Sequence, residues 1–330
     1  MNTMKWLLRR EYWEHKGSFF WAPAVVALVM VAVVALTIGY GMAAQPMDGT
    51  TTVVINGHQV THSNMINAMG PDGKAMMANA VANGYIMAAA PLFGVLPFVV
   101  FFYCLSALYD DRRDRSILFW KSLPISDRDT VISKAVTALV LAPVITALLG
   151  VVTAAVIALI TMFGAGFFGV HIVGAVLANK AFWLAPFQLI GLLPVYVLWA
   201  VPTVGWLLLV SSWAKSKAFL WAVGLPLLLL ALLRWVSFMT ASFMNVGIDY
   251  KWVADNIVLR GLASIVPGFW LPFGQVERGA LLNAEHSVDA GNVFVQSWMT
   301  LLQPTVWIGV IVGAAMIIGA IRLRRWRDEG

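Results

Sequence analysis

Apolar residues in this chain gather in long unbroken runs, not in the rhythm of a half-exposed helix or strand. Six runs reach the roughly 20 residues that a helix needs to cross a hydrocarbon core about 30 Å thick. They cover 18–41, 84–108, 133–161, 184–210, 217–240 and 298–321. Lipid offers no partner to a bare N–H or C=O, so each run must close its own backbone hydrogen bonds as a helix. No segment alternates in the ten-residue units of a membrane barrel. The predicted fold is therefore an all-α membrane protein, six transmembrane helices in one domain over 18–330. The first run, from Phe19 to Tyr40, is longer than a signal-peptide core, and Glu11 and Glu14 interrupt its basic lead. It reads as a retained helix.

The polar positions organise the rest. Residues 1–17 mix Met4, Trp6, Leu7, Leu8, Tyr12 and Trp13 with Lys5, Arg9, Arg10 and Lys16. That blend predicts an amphipathic helix lying at the membrane interface. Between the spans lie two segments, 42–83 and 241–297, and a loop at 109–130. The 42–83 segment is polar and rich in Gly, Asn and Met, whereas 241–297 is too apolar for an ordinary loop. Within the latter, Ile257–Trp270 predicts a helix resting on or dipping into a leaflet. The acidic residues read as loop residues. Pro91, Pro97, Pro143, Pro186, Pro194, Pro202 and Pro226 interrupt the spans and favour kinks, as prolines in membrane helices commonly do.

Composition agrees with the pattern. Of 330 residues, 60% are hydrophobic and only 12% charged, with a mean hydropathy of +0.81. A soluble domain carries about twice that charge. This excludes a soluble enzyme, a disordered chain and, with Cys104 alone, a disulfide scaffold. The net charge of +6 matters less than its distribution. With six crossings, the N-terminal segment, the loop at 109–130 with Lys134, Lys215 with Lys217, and the tail all share one side. They hold 16 of the 22 Lys and Arg, leaving Lys74, Lys180, Arg234, Lys251, Arg260 and Arg278 for the other. Positive charge marks the cytoplasmic side, so both termini are predicted to be cytoplasmic. Such a distribution serves a lipid bilayer, and nucleic acid is not an expected partner.

The loop is the most specific stretch. Charges of both signs crowd Asp110 to Arg115, followed by the apolar Ile117, Leu118, Phe119, Trp120 and Leu123. Pro124 ends that element, and Ser126 is placed to cap the next helix, which runs through Lys134 into the third span. A short apolar helix with a charged collar suits docking into a groove of a partner; the plainer alternative is a loop anchored among headgroups. The run Ser116-Ile-Leu-Phe-Trp-Lys-Ser-Leu-Pro-Ile-Ser126, after a charged cluster and before Lys134, resembles the loop between the second and third helices of type-2 ATP-binding cassette exporter permeases from bacteria. The six-span layout, the amphipathic N-terminal helix and the apolar segment before the last span fit the same pattern. Ser116-Ile117 departs from the family's usual Gly-Thr, and the charged cluster carries Asp where Glu is frequent.

The resemblance implies a multi-pass subunit of the bacterial inner membrane whose coupling helix includes Arg115, Ser116, Ile117, Leu118, Phe119, Trp120, Lys121 and Leu123. It implies a dimer of cassette ATPase subunits as partner, with a second copy or a sister permease completing the membrane half. ATP and Mg would then reside in the partner, with no cofactor in this chain. Consistently, no phosphate-binding Gly-x-x-x-x-Gly-Lys-Ser/Thr occurs; Gly70-Pro-Asp-Gly-Lys74 has the wrong spacing.

Other candidates carry less. His58 and His62 stand four apart, a zinc-capable spacing on a helix, but the neighbouring Asn56-Gly57 favours an ordinary polar loop and no metal site is expected. No catalytic constellation is seen, so an intramembrane enzyme is disfavoured. Trp199 and Trp206, seven apart on the fourth span, share a helix face and are candidates, with Arg234, for a substrate path. Packing of the tryptophans and interfacial anchoring of Arg234 are the plainer readings. The expected function is passage of a hydrophobic or amphipathic substrate (lipid, peptide or drug) driven by ATP. The alternative is a membrane sensor or immunity protein that binds its ligand without an ATPase.

Overall fold

The apolar runs fold as helices whose ends are set by caps and charges. A computed structural model describes residues 3–44, 52–55, 58–61, 70–114, 125–167, 171–244, 249–282 and 288–326. In chain order the helices are α1 (Thr3–Glu14), α2 (Gly17–Ala44), α3 (Ala75–Arg113), α4 (Asp127–Phe167), the short α5 (Val173–Ala178), α6 (Lys180–Trp213), α7 (Leu220–Phe243), α8 over 250–263, α9 (Ala290–Met299) and α10 (Pro304–Trp326). Six of them, α2, α3, α4, α6, α7 and α10, are long and apolar enough to cross a membrane. The chain is an all-α, multi-pass membrane protein. Its one described sheet is a hairpin, β1 (Thr52–Ile55) antiparallel to β2 (His58–Thr61).

Several boundaries move outward from the sequence expectation. The helix containing α3 begins at Gly70, not 84, so part of the polar 42–83 segment continues the second span. Its Ala and Met residues are good helix formers and need no apolar solvent to stay helical. The helix containing α4 starts at Asp127, and Ser126 caps it: the Ser126 hydroxyl accepts from the Asp129 N–H at 3.0 Å. The apolar segment before the last span also differs in detail. Helix forms over 250–263, with Asp249 accepting from Trp252 N–H at 3.2 Å, and ends before the expected Trp270. Turns follow, including Gly268 at φ +84°, and they return the chain to the bundle. There Trp270 is buried, its indole N–H donating to Ser297 Oγ at 2.8 Å.

Helix α6 is the axis of the molecule. About two thirds of its apolar window is buried within the bundle, against 11% for α7, which lies at the periphery. The closest approach joins α6 to α10. A Cβ added at Gly205 would sit 2.4 Å from the Gly313 carbonyl oxygen, and one at Gly313 would sit 2.6 Å from that of Val201. Only glycine permits such backbone contact, which in lipid substitutes for a hydrophobic driving force. Three spans also widen into one π-helical turn, at Gly17–Trp21, Thr137–Leu141 and Leu220–Gly224, each two residues ahead of a proline.

Candidate functional site

Two features stand out, one at each end of the bundle. The first lies where α1, the end of α3, the start of α4 and the end of α10 meet. Helix α1 buries Leu7 and Glu11, one turn apart on the same face, while Trp6 and Trp13 remain exposed. Glu11 is therefore no loop residue: it is fully buried. Its Oε1 lies 3.2 Å from Lys134 Nζ and 3.2 Å from Arg10 Nη2, and its Oε2 accepts from the Tyr103 hydroxyl at 2.8 Å.

Lys134, also buried, reaches Asp111 Oδ2 at 3.7 Å. Arg324, near the end of α10, pairs with that same Asp111 oxygen at 3.1 Å and with Asp127 Oδ1 at 3.2 Å. Arg10, Lys134 and Arg324 thus alternate with Glu11, Asp111 and Asp127, and Arg10 also reaches the exposed Glu14 Oε2 at 3.3 Å. Ions removed from water are tolerable only in such paired arrays. Beside them, Arg112 caps the end of α6 by donating to the Ser211 and Ala214 carbonyls, and Ser211 Oγ accepts from Leu108 and Tyr109 N–H at 3.0 Å each. These are carbonyls that a helix end leaves unpaired.

The second feature lies toward the opposite end, where α8 folds against α6 and α10. The Arg260 guanidinium sits 4.7 Å from the Trp199 ring centroid, Nη2 donates to the Thr305 carbonyl at 2.7 Å, and the Arg260 carbonyl accepts from Thr203 Oγ1 at 3.4 Å. Arg260 Nε is buried with no acceptor among the described residues. Loss of water lowers the proton affinity of this guanidinium, which nonetheless stays charged at neutral pH. Arg260 borders a cavity of about 580 Å³ between α6, α7, α8 and α10. Trp206 lines it too, its indole N–H donating to the Ala222 carbonyl at 3.0 Å. Pro226 cannot bond that carbonyl four residues back, so the indole takes the place of the missing backbone donor.

The sequence candidates distribute unevenly over these sites. Arg115, Ser116, Ile117, Leu118, Phe119, Trp120, Lys121 and Leu123 lie outside the described residues, but both roots of their loop, Asp111 and Asp127, belong to the ionic array. Trp199 is buried and its indole donates to Thr300 Oγ1 at 3.1 Å. Only Trp206 of the pair lines the cavity. Arg234 is exposed on α7 and lines a separate surface pocket with Trp235, Phe238 and Tyr250. His58 lies in β2, where a four-residue step spans about 13 Å, and not on a helix; His62 lies outside the described residues. Sequence reasoning missed Glu11 and Arg260. The spacing of Leu7 and Glu11 was available as a signal for the first, and nothing local marks the second. Compared with protein families, with curated proteins and with solved structures, the chain matches none.

Proposed function

We propose that this chain is the membrane-spanning permease subunit of an ATP-driven exporter in a bacterial inner membrane. The observation that carries the reading is Arg324 bridging Asp111 and Asp127, the two roots of the loop holding 115–123. Through Asp111 the same array continues to Lys134 and Glu11. A push on the loop is therefore delivered to α1, α3, α4 and α10 together, as a coupling element requires. Networks of ion pairs and hydrogen bonds between packed helices can carry coupling of this kind. The concentration of basic residues at this end favours the cytoplasmic side for it, where a dimer of cassette ATPase subunits would bind ATP and Mg.

A second copy or sister permease would complete the membrane half. The apolar cavity at the other end suits a hydrophobic or amphipathic cargo. Pull-down from native membranes tests the reading. The expected result is a cassette ATPase recovered with the wild-type chain and lost when Ile117, Leu118 and Leu123 are all changed to Asp. Undiminished recovery with that triple variant, or vesicle transport without any nucleotide, would overturn it.

A further inference from the structure

We infer that the cavity beside Arg260 is a binding site for an anionic lipid, held in the leaflet at the end of the bundle away from the termini. The cavity opens sideways through Leu225, Leu229, Trp252, Ile257, Ile308 and Val312, each at least 42% exposed among the described residues. In a bilayer that opening meets acyl chains, the solvent these side chains match. The wall along α10 runs from Thr305 to Met316. Eleven residues of helix span about 16 Å, close to half of a ~30 Å hydrocarbon core. Thr305 is one residue from the start of α10, so the polar end of the cavity stands at the interface and its apolar end near the midplane.

The charge sits at the correct end for a headgroup. Arg260 contacts Thr305, at the interfacial end, and has no carboxylate within ion-pair distance among the described residues. Among the described residues its side-chain polar and ring contacts are the Thr305 carbonyl and the Trp199 face, and Nε–H has no acceptor. A guanidinium with unused donors, beside a slot one leaflet deep, recognises a phosphate ester more tightly than a zwitterion, because a trimethylammonium group beside the phosphate offsets its charge. Gly309 lets the guanidinium lie close against α10: a Cβ there would stand 3.1 Å from Arg260 Nη2. The inference concerns binding alone and stands or falls without reference to an ATPase.

Native mass spectrometry of the detergent-purified full chain provides the test, with phosphatidylglycerol and phosphatidylcholine of identical acyl chains as probes. The wild-type chain is expected to hold phosphatidylglycerol about tenfold more tightly, the effect of a charge-assisted contact. Arg260→Gln is expected to abolish that preference, and Arg260→Lys to retain most of it. Gly309→Leu, whose side chain would crowd both the slot and the Arg260 guanidinium 3.1 Å from its Cβ, should weaken both lipids. Equal affinities in the wild-type chain, a preference that survives Arg260→Gln, or a Gly309→Leu variant that changes only the oligomeric state would each overturn the inference, the last by making a second copy the occupant.

Discussion

Removing the Glu11 carboxylate should detach α1 from the bundle, and the size of the effect follows from what remains behind. In Glu11→Leu, buried Lys134 keeps, among the described residues, only Asp111 at 3.7 Å, an oxygen already shared with Arg324, and the Tyr103 hydroxyl loses its acceptor. Breaking a buried pair from one side costs about 3–5 kcal/mol. The reverse change, Lys134→Met, leaves Glu11 with Tyr103 and the partly exposed Arg10, so about 2–3 kcal/mol is expected. The double variant strands neither charge, and its loss should be about 2 kcal/mol or less, because apolar replacement of a whole buried pair is often nearly neutral. A coupling of at least about 3 kcal/mol results. Equilibrium unfolding in mixed micelles measures the cycle. Maleimide labelling of Leu7→Cys adds a local readout, since Leu7 is buried and the native Cys104 is buried too. Labelling should be slow in the wild-type background, fast with Glu11→Leu, and slow again in the double variant. Additive losses, within about 0.5 kcal/mol, would refute the argument that these two ions depend on each other.

Two further outcomes test the interior. Gly313→Ala would press a methyl group against the Val201 carbonyl and the Pro202 backbone, neither of which can rotate away, so a loss of at least about 1–3 kcal/mol is expected in the same unfolding assay, whereas Gly39→Ala, with open space around it, should be nearly silent. Trp206→Phe should lose about 1 kcal/mol through the abandoned Ala222 carbonyl. The loss should be far smaller in a Pro226→Ala background, where the restored backbone N–H at position 226 can bond that carbonyl; equal losses in both backgrounds would refute the substitution of indole for backbone.

The spans were legible because the bilayer imposes a length that composition alone reveals. The Ser126 cap was legible for a similar reason: a hydroxyl before Asp127, Asp129 and a helical run is a local signature, and the bond to Asp129 N–H realises it. What escaped was every feature made by distant pairing. Glu11 looks like a surface acid among basic neighbours, and only its meeting with Lys134 and Tyr103 turns it into the centre of a buried array. Arg234 drew notice as a cation in an apolar run, yet α7 is peripheral and turns it outward, whereas Arg260, in a segment read as external, is folded against Trp199. Hydropathy ranks residues by neighbours in sequence, and here the neighbours that matter lie on other helices.

The prolines show how position decides between two physical readings. A proline removes one donor and crowds the carbonyl four residues back, and a helix can absorb this by kinking or by widening one turn. Pro91 and Pro97 stand within continuous α3, and Pro202 within α6. Pro23, Pro143 and Pro226 instead follow the three π turns of α2, α4 and α7. Each of those turns lies in the first third of its span, at the end where α1 and α10 join the ionic array. Prolines tolerated at random would not select one depth in three separate helices. A bundle whose spans widen just above a charge-paired collar has one level at which α2, α4 and α7 can bend together, and bending there would change the packing of α7 against Trp206 at the inner end of the cavity.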